Sequence, residues 1–182
     1  MILGILGLTL IPKGASIAFQ KAKTRYYERN FDKFIRDVNA NKPTKPLFEK
    51  TKELEKKYRE NILHVKDELS NKLGLKGKVY ADYVRLAEKH PEYFSHPQDA
   101  KMLTEYIAQN PTIALPASKI EYEAIMSELD MFGIKGGKGI FVLDLEFKGG
   151  KHRVKSVHLI SNKQYREKIN KAKKQGSPTY QF

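Results

Sequence analysis

The chain has 182 residues, a formal net charge of +13, 40% hydrophobic residues and no cysteine. That length holds one ordinary domain with an appendage, or two very small domains. The missing thiols exclude disulfides, thiolate nucleophiles and cysteine metal sites, while the charge attracts nucleic acid, anionic membrane or an acidic partner protein over long, salt-sensitive distances.

In chain order, MILGILGLTLI is almost wholly apolar but stops at Pro12-Lys13. It is shorter than the roughly 20 residues a bilayer span needs, and no basic residues precede it as they would in a signal peptide. We expect a buried segment or the scar of a longer parent chain, and no transmembrane segment. Ala15 to Val38 follows a loosely helical pattern with a membrane-surface alternative, and Asn39 to Lys45 is a breaker-rich linker. Leu54, Tyr58, Ile62, Val65, Leu69 and Leu73 recur at helical spacing and predict one long helix, stopped by Gly74 with Leu75 making the closing contact. Residues 1–74 therefore read as a helical N-terminal region, and 75–182 as a separate small domain of helices packed on an antiparallel sheet.

In that second part, Val79 to Ala87 predicts a helix that ends before His90-Pro91. Pro97 to Gln109 predicts another, stopped at Asn110-Pro111, and Thr112 to Leu115 a short strand. Ser118 and Glu121 resemble a capping box opening a third helix through about Leu129, followed by a flexible approach, GIKGGKG. GIFVLDLEF and HRVKSVHLI read as a hairpin closed by Lys148-Gly149-Gly150-Lys151. Phe141, Leu143, Leu145 and Phe147 share its buried face. Ser161 and Gln164 cap a last helix that lays Tyr165, Ile169 and Ala172 on the sheet. Gly176 ends it, and Pro178 to Phe182 returns as a strand. The element order defines an α+β fold.

From Lys148 onward there are ten Lys and Arg residues against Glu167 alone, a concentration that points to nucleic acid. Lys151, Arg153, Tyr165, Arg166, Lys173 and Lys174 are the candidate binding residues. Metal-free RNA cleavage needs a base for the 2′-OH, an acid for the leaving oxygen and a cation for the phosphorane. His90, Lys155, Ser156, His158, Ser177 and Tyr180 offer suitable groups, with the closing strand expected beside the second hairpin strand. On strict alternation Lys155 faces away from Ser156 and His158, so the set meets only if the strand twists or bulges.

HPEYF, the GIFVLDLEF and VKSVHLIS strands and the closing GSPTYQF resemble the phage-associated and polymorphic-toxin nucleases of the barnase, EndoU, colicin and RelE class, over about residues 78–182. The resemblance implies a toxin-type ribonuclease that needs no cofactor, with RNA as substrate, an immunity protein as partner and a cytoplasmic target. Two alternatives stay open. Asp130, Asp144, Glu146 and Lys148 match the carboxylate-and-lysine pattern of metal-dependent restriction-type nucleases. A phage-associated module that binds nucleic acid without cutting it is the other.

Overall fold

The computed structural model describes residues 32–33, 35–116, 122–131 and 137–182; for residues 122–131, 137 and 138 it describes the backbone. Residues 35–40 are helical, with Ile35 buried. Helix α1 (Lys52–Tyr58) opens on the Thr51 hydroxyl, which accepts from the Leu54 N–H at 3.1 Å. The long helix expected through Leu73 is instead two short ones. Glu60 takes a left-handed φ of 47°, a conformation no helix interior accommodates. Strand β1 (Asn61–Leu63) follows, and then α2 (Asp67–Leu73). Pairing of β1 with the next strand claims those residues: Tyr58 and Leu69 of the apolar stripe stay buried, whereas Ile62 turns outward and is 41% exposed. Gly74 closes α2 at φ 64°, and the Leu75 N–H reaches the Ser70 carbonyl at 2.9 Å, as the sequence predicts.

Val79 and Tyr80 belong not to a helix but to β2 (Val79–Ala81), so α3 (Tyr83–Lys89) starts later than expected and ends where expected, one residue before His90. Asp82 sets that start with both carboxylate oxygens. Oδ1 accepts from the Arg85 N–H at 2.9 Å, and Oδ2 accepts from Arg59 Nη1 at 2.8 Å. Helix α4 (Pro97–Gln109) has the predicted bounds, with His96 as its cap and Pro97 in its first turn. Strand β3 (Ile113–Pro116) also lies where predicted.

The third helix does not form. Residues 122–131 are β4 (Tyr122–Met131), hydrogen-bonded to β3 on one side and to β5 (Gly137–Lys148) on the other. Glu, Ala, Met and Leu favour helix locally, but a slot between two strands outweighs about 0.7 kcal/mol or less of propensity per residue. Ser118 and Glu121 lie outside the described residues, as does most of the glycine-rich approach; its last residues, Gly137 to Gly139, are already strand. Strand β6 (Lys151–Ile160) completes the hairpin. Gly149 and Gly150 supply positive φ at both central positions, the requirement of a tight two-residue hairpin turn. The capping box of Ser161 and Gln164 opens α5 (Asn162–Lys174), and β7 (Tyr180–Gln181) is the last strand.

The strands lie in the order β1-β2-β6-β5-β4-β3-β7. The fold is α+β, but its sheet is mixed, because β2 runs parallel to β6. One face carries the main core: Phe141, Leu143, Leu145, Val154, Val157 and Leu159 pack with residues of α3 and α4. Ile35, Tyr58, Leu63 and Leu69 join that core, and β1 pairs with β2 across the boundary expected at residue 74. The other face holds a smaller apolar patch, in which Ile113, Leu115, Ile140, Val142 and Ile160 meet Ala172, Tyr165 and Ile169 of α5. Phe147 continues the core alternation past the helices and is 48% exposed rather than buried.

Candidate functional site

Strand β2 is short, pairing with β6 only at His152 and Arg153. Beyond that point the outer edge of β6 needs other partners. Arg85 supplies them, its Nη2 donating to the Val154 and Lys155 carbonyls at 3.1 and 2.9 Å. Further along, the edge is met by the turn His90-Pro91-Glu92-Tyr93. It is closed by the Tyr93 N–H on the His90 carbonyl at 3.0 Å, with proline in its favoured second place. The Tyr93 hydroxyl lies at the Leu159 backbone; burial pushes its pKa up to about 12, a rise that this hydrogen bond opposes.

The turn folds His90 back on its neighbours. Its ring stacks on Tyr93 at 5.5 Å between centroids, and its Nδ1 is 2.9 Å from Glu92 Oε1. Lys42 reaches in from the N-terminal side, 3.3 Å from the same oxygen and donating to the Lys89 carbonyl at 3.0 Å. The Glu92 side chain is only 4% exposed. Burial alone would raise its pKa, but the His90 hydrogen bond, its own backbone N–H and the charges of His90 and Lys42 outweigh that, and the net shift is downward. Glu92 is a carboxylate in the folded protein. His90 Nε2 is buried without a hydrogen-bond partner.

The second histidine comes from β6. A bulge opposite Asp144 and Leu145 pairs Ser156 with Asp144 and Val154 with Leu145, leaving Lys155 as the extra residue. Val154 and Val157 thus both face the core, and Ser156 and His158 both face away from it. Ser156 Oγ donates to Asp144 Oδ2 at 2.8 Å, and His158 Nδ1 lies 3.6 Å from that oxygen and 3.5 Å from the hydroxyl. The serine proton is committed to the carboxylate, and both groups meet His158 on the Nδ1 side. A nucleophilic serine would need the imidazole to accept its proton, which the pairing of Ser156 with Asp144 does not provide. The pKa of His158 is lowered, first by burial and then by the positive charges of Lys168, His90 and Lys89, against the opposing pull of Asp144. His90 and His158 therefore lie within electrostatic reach of each other at one edge of the sheet, each with a carboxylate at its Nδ1.

Of the other predicted site residues, Lys155 sits in the bulge with its carbonyl held by Arg85. Ser177 and Tyr180 do not join the histidines. Strand β7 pairs with β3, not with β6, and three strands separate it from β6. Ser177 N–H bonds the Ala172 carbonyl at the end of α5, and Tyr180 lies under the Lys72 ammonium at 5.4 Å. Arg166, Lys173 and Lys174 are exposed on α5, whereas Tyr165 is half-buried in the patch beneath it. Lys151 and Arg153 are exposed near the hairpin turn.

The carboxylate-and-lysine alternative does not assemble as one site. Asp130 pairs with Lys138 and Asp144 with Ala124, which puts Asp130 six residues along β4 from Asp144, about 20 Å at strand rise. Its side chain lies outside the described residues. Among the described residues no three His, Asp or Glu side chains gather as metal ligands, and no helix is long and apolar enough to cross a membrane.

Sequence reasoning missed Glu92 and the role of Asp144. The first was visible as a carboxylate two residues after a histidine across a proline turn. The second depends on cross-strand register and a bulge, which no local pattern reveals. Protein-family models, curated proteins and solved structures give no match to the chain.

Proposed function

We propose that the protein is a metal-independent endoribonuclease of the toxin type. The observation that supports this reading is a pair of carboxylate-backed imidazoles, His158 with Asp144 and His90 with Glu92, with His158 in electrostatic reach of His90, Lys168 and Lys89. With its pKa lowered, His158 is neutral near pH 7 and takes the proton of a ribose 2′-OH as that oxygen attacks phosphorus. His90, the other imidazole, gives a proton to the 5′-oxygen as the P–O5′ bond breaks. The products are a 2′,3′-cyclic phosphate and a 5′-hydroxyl. Lys168 and Lys89 offset the charge on the phosphorane.

The test is RNA cleavage with and without EDTA, by the wild type and by His158→Ala and His90→Gln. Cleavage is expected to persist in EDTA and to fall about 10²–10⁴-fold in each variant, with thermal unfolding of His158→Ala unchanged. Expression of the wild type should arrest growth and His158→Ala should relieve it. EDTA-sensitive cutting, or binding without cleavage, overturns the reading.

A further inference from the structure

Helix α5 covers only part of its face of the sheet. Its apolar patch ends at Val142 and Ile160, and the same face continues toward the hairpin turn beyond that patch. Burial alternation identifies what it presents there. Val79 and Ala81 are buried on the core side, so Tyr80 between them faces the other way; Ile62 does the same between Asn61 and Leu63. Register then aligns one row across four strands, from Ile62 to Tyr80 to Arg153 to Glu146. Lys151 holds its ammonium 4.9 Å above the Tyr80 ring, and Lys148 pairs with it across the hairpin. Ile62, Lys151, Arg153 and Lys148 are all exposed.

An aromatic ring and an aliphatic side chain set among three cations, with Glu146 as the one opposing charge in the row, is an unusual surface for plain solubility. Charge complementarity selects a polyanion, and a flat aromatic platform selects one with accessible base faces. Bases in a duplex are stacked on each other and cannot reach such a ring. Two further rows of the same face lead from Glu146 to Asp144 and then to Val142, the partner of His158. Four residues of strand span about 13 Å, a few nucleotides of extended chain.

We infer that the open sheet face is a subsite for single-stranded RNA, with a base displacing the Lys151 ammonium from the half-buried Tyr80 ring and flanking phosphates held by Lys151, Arg153 and Lys148. The inference deepens the ribonuclease reading, and rests on it for where the cut falls: a few nucleotides from the stacked base. The subsite itself is tested without cleavage, using a short fluorescent 2′-O-methyl RNA that has no 2′-hydroxyl to react.

The wild type should bind this probe more tightly than the same sequence as a duplex. Tyr80→Ala should weaken binding about tenfold, and Tyr80→Phe should retain it, because stacking needs the ring and not the hydroxyl. Arg153→Gln, an exposed change that keeps the fold, should reduce the salt slope of binding by about 0.7. Equal affinity for duplex, or Tyr80→Ala and Arg153→Gln both binding as the wild type does, overturns the subsite. If Tyr80-dependent binding holds and unmodified RNA is not cut, the ribonuclease reading falls and the subsite stands. If RNA is cut and both variants bind as the wild type does, the subsite falls alone.

Discussion

The two faces of the β5–β6 hairpin are built from the same strands and differ in almost every other respect. Toward α3 and α4, Phe141, Leu143, Leu145, Val157 and Leu159 form a dry layer. On the reverse, the residues between them are Val142, Asp144, Ser156 and His158, of which only Val142 belongs to an apolar cluster. Alternation accounts for most of this, and the bulge at Lys155 for the rest. Without the extra residue, Val154 would be placed on the opposite face from Val157, or Ser156 and His158 would turn into the core. One face carries the main apolar core, and the other, beyond the smaller patch under α5, is free to hold polar groups.

That division is broken most directly by Leu143→Ala. Leu143 is fully buried at the centre of the sheet, and truncation there should cost about 2–5 kcal/mol of unfolding free energy, measured by denaturant titration. His158→Ala, one strand away on the reverse face, should leave the same measurement nearly unchanged while losing the proposed RNA cleavage. A large stability loss in His158→Ala would mean that the polar face is structural after all.

Much of this division was legible in the sequence. The hairpin, its glycine turn, the buried alternation of Phe141, Leu143 and Leu145, α4, and the capped α5 with its stripe of Tyr165, Ile169 and Ala172 follow from period and capping chemistry. What was lost depended on pairing. Tyr122 to Met131 has helix-forming letters and becomes a strand because β3 and β5 supply partners on both sides. The stripe from Leu54 to Leu73 was interrupted by three residues that pair with Val79 to Ala81. The site shows the same limit. His90 and His158 stand out singly in the sequence, yet their electrostatic reach of each other depends on a turn packed along the edge of β6, 68 residues away in sequence. Ser177 and Tyr180 were assigned to the site from a strand order that the sheet does not adopt.

The electrostatics of the polar face give a finer test, because His158 is pushed in opposite directions by named neighbours. A base must be neutral, so a depressed pKa keeps it competent to lower pH, and the acid limb of the cleavage profile should fall below the ordinary imidazole value of 6.5. Lys168→Met removes a positive charge that disfavours the imidazolium, so the pKa rises and the limb moves to higher pH. Asp144→Asn removes the charge that favours it, so the limb moves lower. The stability signs agree. Below 6.5 the unfolded chain takes up a proton that native His158 resists, so this contribution is complete above 6.5 and is lost as pH falls through the native value. Limbs that shift the same way in both variants would detach the profile from His158.

The smallest expected effect concerns how firmly α5 is tied to the sheet. Ser161 Oγ accepts from the Gln164 N–H at 3.2 Å, and Gln164 Oε1 accepts from the Ser161 N–H at 2.9 Å. Besides that box, Tyr165, Ile169 and Ala172 hold α5, while its basic residues other than the half-buried Lys168 are exposed. The cations of its last turn suit the helix C-terminus, but nothing acidic occupies the first turn, so the cap is what complements the dipole there. Ser161→Ala should cost about 1 kcal/mol. Amide hydrogen exchange should quicken in the first turn of α5 and stay slow in β5 and β6, because the main core lies on the other side of the sheet. If β5 and β6 also lose protection, the two faces unfold as one unit, and α5 supports the core as well as bringing Lys168 within electrostatic reach of His158.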